Sequence, residues 1–350
     1  MKLLLPYRLA HQQISQQQFS SPAQVVQHFG VMQAQDYAGA KWAVALRIPG
    51  ATQALIEKAL NEAKIIRSWS CRCTWQFMTP EDIRWILDLV KPRLKSMYAG
   101  YYRKLEIDEK VITKSKKLFE VLLRDGKALT RNQCRIAFEK KGIQTNEMRL
   151  GFILLRAALD ALICQGPMQG KQFTFVLLDE WTPATKKITR EEALSWLILR
   201  YFTSHGPATI ADCSWWSGLT QSDVKSAIDS CGKSLQSISF NDKQYFTGPP
   251  GATIKNGTDV YLLPAFDEYL VAYKDRSEAV PAENVREILG AGNGIFSPVI
   301  VMNGKVVGTW KRNVTKNSIQ VETKLFNKIS KLQESKLKTC IKKYKRYLEL

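Results

Sequence analysis

The sequence lacks the residue spacings that most enzymes of its size use for metals, disulfides or nucleotides. Its three histidines, His11, His28 and His205, are scattered. The seven cysteines, Cys71, Cys73, Cys134, Cys164, Cys213, Cys231 and Cys340, form no C-x-x-C pair. A zinc site or disulfide framework is therefore not expected, and a reduced cytosolic protein is. No apolar run approaches the roughly 20 residues of a membrane-spanning helix. The leucines after Met1 stop at Pro6 and Arg8, too short a run for a secretory signal. Serine, histidine and aspartate assemble into no recognisable nucleophilic triad. No glycine-rich loop could cradle a phosphate, and no cofactor is implied.

Negative charge is also scarce. Lysine and arginine number 51 against 32 acidic residues, giving a formal net charge of +19 and a pI near 9.6 over 350 residues. Such an excess calls for a polyanionic partner, with nucleic acid first and an anionic membrane surface second. The chain is 45% hydrophobic, enough to bury several cores of ordinary domain size.

The order of predicted elements repeats. Residues 8–47 read as two short helices, a turn and a third helix, with Ser20-Ser21-Pro22 as a helix start and Gly30 as a stop. Ile65–Trp69 and Cys73–Met78 read as a hairpin, and Thr79-Pro80-Glu81-Asp82 opens a helix through Leu89. Residues 112–123, Arg131–Lys140 and a segment from Thr145 to Leu159 read as helices, followed by a hairpin of Ala161–Cys164 and Phe173–Leu177. The third copy is clearest: helices over Glu191–Ser204, Ile210–Ser217 and Gln221–Ser230, then strands Ser237–Phe240 and Gln244–Thr247. Gly248-Pro249-Pro250-Gly251 follows as a linker-like turn. Beyond it come short β-rich runs, Val260–Leu263, Val299–Met302 and Lys305–Trp310, the last two joined by the hairpin signal Asn303-Gly304. From Lys324 onward lysines alternate with apolar residues at helical spacing.

The expected fold is therefore α+β, with three tandem winged-helix modules and a C-terminal small β-barrel or sheet carrying a basic helix. The expected boundaries are 1–110, 111–185, 186–255 and 256–350. Within the first module, Gln33-Ala34-Gln35-Asp36 precedes a short helix. At a period of two, an extended segment would aim both amides the same way. Asp36 reads as a helix cap or as a nearby catalytic helper. Lys41, Arg47, Arg72, Lys311 and Arg312 are the candidate DNA contacts, with Arg72 in the first hairpin turn. Trp42, Trp216 and Trp310 read as core.

These pieces form an ordered set: Gln33-Ala34-Gln35-Asp36-Tyr37 with Trp42 and Arg47, Arg72-Cys73-Thr74, Gly206-Pro207-Ala208-Thr209 with Asp212, Trp216-Ser217-Gly218-Leu219, Leu262-Leu263-Pro264-Ala265-Phe266-Asp267, Lys274-Asp275-Arg276-Ser277 and Gly308-Thr309-Trp310-Lys311-Arg312. In this set the chain resembles the AlkZ-like family of bacterial winged-helix DNA glycosylases over nearly its whole length. The resemblance implies a concave basic surface for double-stranded DNA and a catalytic pair, Gln33 and Gln35, that positions a hydrolytic water. It points to the glutamine branch, since a sister branch carries aspartate at the position of Gln35. One departure is Trp75-Gln76-Phe77, where relatives tend to carry Leu-His, which bears on substrate scope.

Amides are weak bases, so such a pair suits a leaving group that is already activated. An N7-alkylated guanine is cationic and departs neutral, without a general acid. The expectation is thus a cytoplasmic, nucleoid-associated, monomeric DNA glycosylase that acts on alkylated purines in damaged DNA, interstrand crosslinks included. The rival is a non-enzymatic winged-helix regulator, which would be expected to dimerise on paired half-sites. A scaffold that holds RNA or DNA on the basic helix is the third reading.

Overall fold

A computed structural model describes residues 4–249, 259–290, 294–315 and 318–348. The expected Gly248-Pro249-Pro250-Gly251 linker turn lies partly outside these residues, from Pro250 onward. The architecture is mixed, with small antiparallel sheets among many helices, and the chain divides into two compact units, residues 1–57 with 195–350 and residues 58–194.

Local chemistry sets most element ends in the N-terminal stretch. After α1 (Leu4–His11), α2 (Pro22–Phe29) begins with Pro22 in its first turn. Ser21 and Gln24 form a reciprocal capping box there, each side chain taking the other's backbone N–H. Gly30 ends the helix at φ +79°, where a side chain would be strained. The short strand β1 (Met32–Gln33) leads into α3 (Tyr37–Ala45), and α4 (Gln53–Asn61) follows.

In the unit of residues 58–194, β2 (Ile66–Trp69) and β3 (Trp75–Met78) form an antiparallel hairpin in which Ile66 faces Met78. The next helix, α5 (Ile83–Lys104), runs well past the expected end at Leu89 and through Pro92. Tertiary packing outweighs the bond lost at the proline. Leu94 is buried beyond it, and Tyr98, Tyr101 and Tyr102 all lie against the Phe152 ring at 5.3–6.0 Å. Then come α6 (Glu109–Leu123), β4 (Leu129–Thr130), α7 (Arg131–Lys140), α8 (Arg149–Leu159), β5 (Ile163–Gln165), β6 (Thr174–Leu177) and α9 (Leu178–Trp181). The strands pair in the order β4-β6-β5. The core centres on Phe119, Cys134, Phe138, Ile153, Leu154 and Phe175.

The remaining elements begin with α10 (Arg190–His205), α11 (Ile210–Ser217) and α12 (Gln221–Cys231), followed by the hairpin of β7 (Gln236–Phe240) and β8 (Lys243–Thr247). Thr209 with Asp212 and Thr220 with Asp223 build capping boxes at the starts of α11 and α12. Past residue 258 come β9 (Val260–Leu263), α13 (Glu268–Val271), α14 (Val285–Leu289), β10 (Val299–Met302), β11 (Lys305–Val314), β12 (Ile319–Leu325) and α15 (Lys331–Leu348). Here the structure corrects the expectation of helix from Lys324 onward: Lys324 lies in β12, paired with Thr309, and the basic helix starts at Lys331. The sheet order is β12-β11-β10-β9. Asn303 and Gly304 turn β10 into β11 with φ of +51° and +83°, the left-handed pair that a tight hairpin turn requires.

Candidate active site

Gln33 ends β1, and the chain bends at Gln35 and Asp36. The Gln33 side-chain oxygen accepts the backbone N–H groups of Ala34 (3.0 Å) and Gln35 (3.2 Å), curling the chain around its own amide. The two glutamines therefore sit in different environments: Gln33 is buried at 6% exposure, whereas Gln35 is exposed. Both lone pairs of the Gln33 oxygen face backbone donors, so this amide works as a brace for the turn. Gln35 carries its amide to the surface from that braced backbone.

Asp36 is the N-cap of α3. Its side chain accepts the Gly39 N–H at 3.2 Å, which satisfies a first-turn donor. Gly39 is required at that place, since a Cβ would lie 2.6 Å from the Asp36 carboxylate and 3.2 Å from Pro264. The Arg312 guanidinium, on β11, lies within electrostatic reach of Asp36 and bonds the Tyr344 hydroxyl at 3.0 Å. Trp42 fixes the far side of α3. Its indole N–H donates to Leu262 O (2.8 Å), and its ring packs edge-on to Tyr344 at 5.0 Å. Trp310 repeats the arrangement, donating to Leu263 O and meeting Tyr344 at 4.9 Å. Trp42, Trp310 and Trp216 are all buried, as their reading as core implies.

Two of the expected phosphate contacts are internal. Arg47 is fully buried, and both its terminal nitrogens bond the Asp267 carboxylate at 3.0 Å. Its remaining donors go to Gln12 O, Ala43 O and the Gln12 side chain. A guanidinium spent in this way is not available to DNA in this structure. Lys41 is 5% exposed, with its ammonium paired to Glu57 and set 4.9 Å from the Tyr37 ring centre. It braces α3 against Glu57 of α4 instead of reaching solvent. Arg72 does sit in the turn between β2 and β3, half-buried, at φ +57°. Lys311 is exposed on β11 opposite Glu322, and Arg312 is half-buried beside Tyr344.

Sequence reasoning passed over Glu268, at the start of α13. It is 2% exposed, yet its carboxylate meets two N–H donors and the His205 ring. The Gln33 backbone N–H donates to Oε1 at 2.6 Å, and the Trp216 indole N–H donates to Oε2 at 2.9 Å. His205 Nε2 lies 3.3 Å from the same Oε2. Burial alone would raise this carboxyl's pKa, but His205 and the Gln33 and Trp216 N–H groups outweigh it and hold the pKa below the ordinary 4.5. Burial lowers the pKa of His205, whose ring stacks on Tyr201 at 4.8 Å and lies 5.1 Å from Phe29. The ring's Nε2 faces the carboxylate, and its Nδ1 lies 2.9 Å from the Ser204 hydroxyl, which donates to Arg200 O at 2.7 Å. A signal for Glu268 was present in the chain. Asp267-Glu268 is a double acid inside the apolar run Leu262 to Ala272, and buried acids require donors.

A cavity of about 580 Å³ opens elsewhere in this unit, lined by Arg8, Asp212, Lys243, Tyr245 and Asp275 among others, and includes neither glutamine. Among the described residues no group of three or more His, Cys, Asp or Glu could hold a metal ion, and no helix is long and apolar enough to cross a membrane.

Known proteins resemble this chain in sequence and fold. The interstrand DNA cross-link repair glycosylase of Streptomyces sahachiroi is 24% identical over 319 residues, spanning 87% of this chain and 86% of that protein. The solved structure of the Streptomyces sahachiroi DNA glycosylase AlkZ superposes with a TM-score of 0.81 at 21% identity, covering 99% of this chain and 96% of that one, and so shares its fold. The model of the DNA glycosylase AlkZ-like family matches residues 26–347, and the chain belongs to that family.

Proposed function

We propose that this protein is a monofunctional DNA glycosylase that hydrolyses the N-glycosidic bond of N7-alkylated purines in duplex DNA. The observation that carries the reading is the Gln33–Gln35 turn: the buried Gln33 amide oxygen accepts the Ala34 and Gln35 backbone N–H groups, Gln35 is exposed beside it, and the adjacent Asp36 caps α3. In this reading Gln33 holds the backbone and Gln35 takes one proton of the attacking water on its side-chain oxygen as a hydrogen bond. The cationic base leaves as a neutral purine. Water adds to the sugar's C1′ as the glycosidic bond breaks, and the proton it sheds passes to bulk solvent. Fixing the water and sugar in line can lower the barrier by up to roughly 7–11 kcal/mol. A pair without a strong base suits labile, charged adducts and not uracil or undamaged nucleotides.

The domain reading goes with this function: three winged-helix modules over 1–110, 111–185 and 186–255, and a barrel-like C-terminal domain over 256–350 with the basic helix α15. Lys311 and Arg312 on β11 and Arg72 in the β2–β3 turn are the proposed DNA contacts. A crosslinked purine resists full extrusion from the duplex, so an open site that accepts interstrand crosslinks, the lesion named for the Streptomyces relative, fits this reading. The protein acts as a monomer, since three modules in one chain can clamp the duplex alone. The test is release of N7-methylguanine from a duplex, scored as abasic sites. No release across several N7 adducts would refute the enzymatic reading.

A further inference from the structure

We propose that Glu268 is a positioning residue for this reaction, holding the Gln33–Gln35 turn in its working shape through the Gln33 backbone N–H. The inference rests on the proposed function of that turn and deepens it.

The Gln33 backbone N–H ties the turn to a distant buried carboxylate. The Gln33 side chain braces Ala34 and Gln35, but that brace is internal to the turn and cannot fix it in the protein. The 2.6 Å bond from the Gln33 N–H to Glu268 Oε1 does so, and it spans 235 residues of chain. A charge-assisted bond of this kind is about twice as strong as a neutral one. Glu268 is in turn held by Trp216 on α11 and by His205 at the end of α10, with Ser204 behind the imidazole. The neighbouring Asp267 holds Arg47, two residues past the end of α3. Two consecutive buried carboxylates at the start of one short helix thus pin both sides of the motif, Glu268 before α3 and Asp267 after it.

The bond can be removed or kept apart from the charge. Glu268→Ala deletes the acceptor. The double variant E268Q/W216F keeps it in a neutral network. There the oxygen of the introduced amide accepts the Gln33 N–H, and its nitrogen donates to His205 Nε2. His205 then carries its proton on Nδ1 and donates to Ser204, whose hydroxyl keeps its bond to Arg200 O, 2.7 Å away. Trp216→Phe removes the indole donor that would otherwise face the new amide.

Single-turnover release of N7-methylguanine should fall about 100-fold in Glu268→Ala, the cost of misplacing a reacting group by about an ångström. The Kd for the same duplex should stay within about twofold, because no phosphate contact is lost. E268Q/W216F should recover to within about tenfold of wild type, since the acceptor for the Gln33 N–H is restored without its charge, and it carries the test if Glu268→Ala does not fold. Wild-type turnover in Glu268→Ala overturns the proposal. So does a loss confined to DNA affinity, or a folded double variant without recovery. The outcomes separate from those of the underlying reading. Wild type without release refutes the function, and release untouched by both Gln33→Ala and Gln35→Ala refutes the site.

Discussion

Arg47 offers the sharpest contrast between a residue that touches DNA and one that holds the fold. Its guanidinium makes a two-pronged pair with Asp267 at 3.0 Å on each arm, and the two side chains are 0% and 1% exposed. Arg47→Met keeps much of the volume and removes the charge, leaving Asp267 ionised and buried with the Tyr269 N–H as a remaining donor. Breaking such a pair on one side costs about 3–5 kcal/mol. With a urea slope of roughly 1–3 kcal/mol per molar, the unfolding midpoint should drop by about 1 M or more. R47M/D267N should regain over half of the loss, because asparagine removes the orphaned charge and keeps an oxygen for Tyr269. The control is the salt dependence of binding to a plain duplex. A phosphate contact would lower the slope of log K against log salt by about 0.9, whereas a buried strut leaves it unchanged. A midpoint within error of wild type, together with a shallower slope, would refute the structural role.

Three further outcomes follow from the same geometry. Burial holds His28 down to about 4 from its ordinary 6.5 and lowers His11 and His205 as well. The unfolded chain binds these protons first, so their contribution is complete above about 6.5 and is lost as pH falls toward about 4. Urea midpoints should therefore drop between about pH 7 and pH 5, and less steeply in His28→Gln, which can still donate to His11 O; a flat profile counts against the neutral buried ring. Asp36→Asn should keep base release within about tenfold, since asparagine caps as well as aspartate; a drop of about 10² or more would instead make Asp36 a general base. Lys311→Ala should reduce the salt slope by about 0.9 with no change in the urea midpoint, and an unchanged slope removes Lys311 from the interface.

Elements whose limits depend on neighbouring residues were legible in the chain. α11 spans Ile210–Ser217 as expected, because Thr209, Asp212 and Gly218 act within one turn of its ends. The same holds for α7 with Thr130 and Gln133. β12 does alternate, Ile319, Val321, Thr323 and Leu325 against Gln320, Glu322 and Lys324, but it is a mostly exposed edge strand, and the lysine-rich helical spacing that follows runs back over its end at Lys324. α5 hid its length because Pro92 suggests a stop, and the rings that carry it onward meet Phe152, whose carbonyl accepts the Tyr102 hydroxyl 50 residues away. At the site, the glutamines and the Asp36 cap were visible as a local pattern. The fate of Arg47 depends on Asp267, 220 residues distant, and the anchoring of Gln33 depends on Glu268. Neither pairing leaves a mark in the sequence around Arg47 or Gln33.

In the proposed mechanism two amides and no acid serve the reaction, Gln35 on the water and Gln33 on the turn. That mechanism is tested most directly by single-turnover release of N7-methylguanine and of uracil from matched duplexes by wild type, Gln33→Ala and Gln35→Ala. Only the alkylated base should be released, with each substitution lowering the rate by about 100-fold, the scale set by loss of a positioned reacting group. Release of uracil at a comparable rate, or full release of N7-methylguanine by both variants, would contradict it.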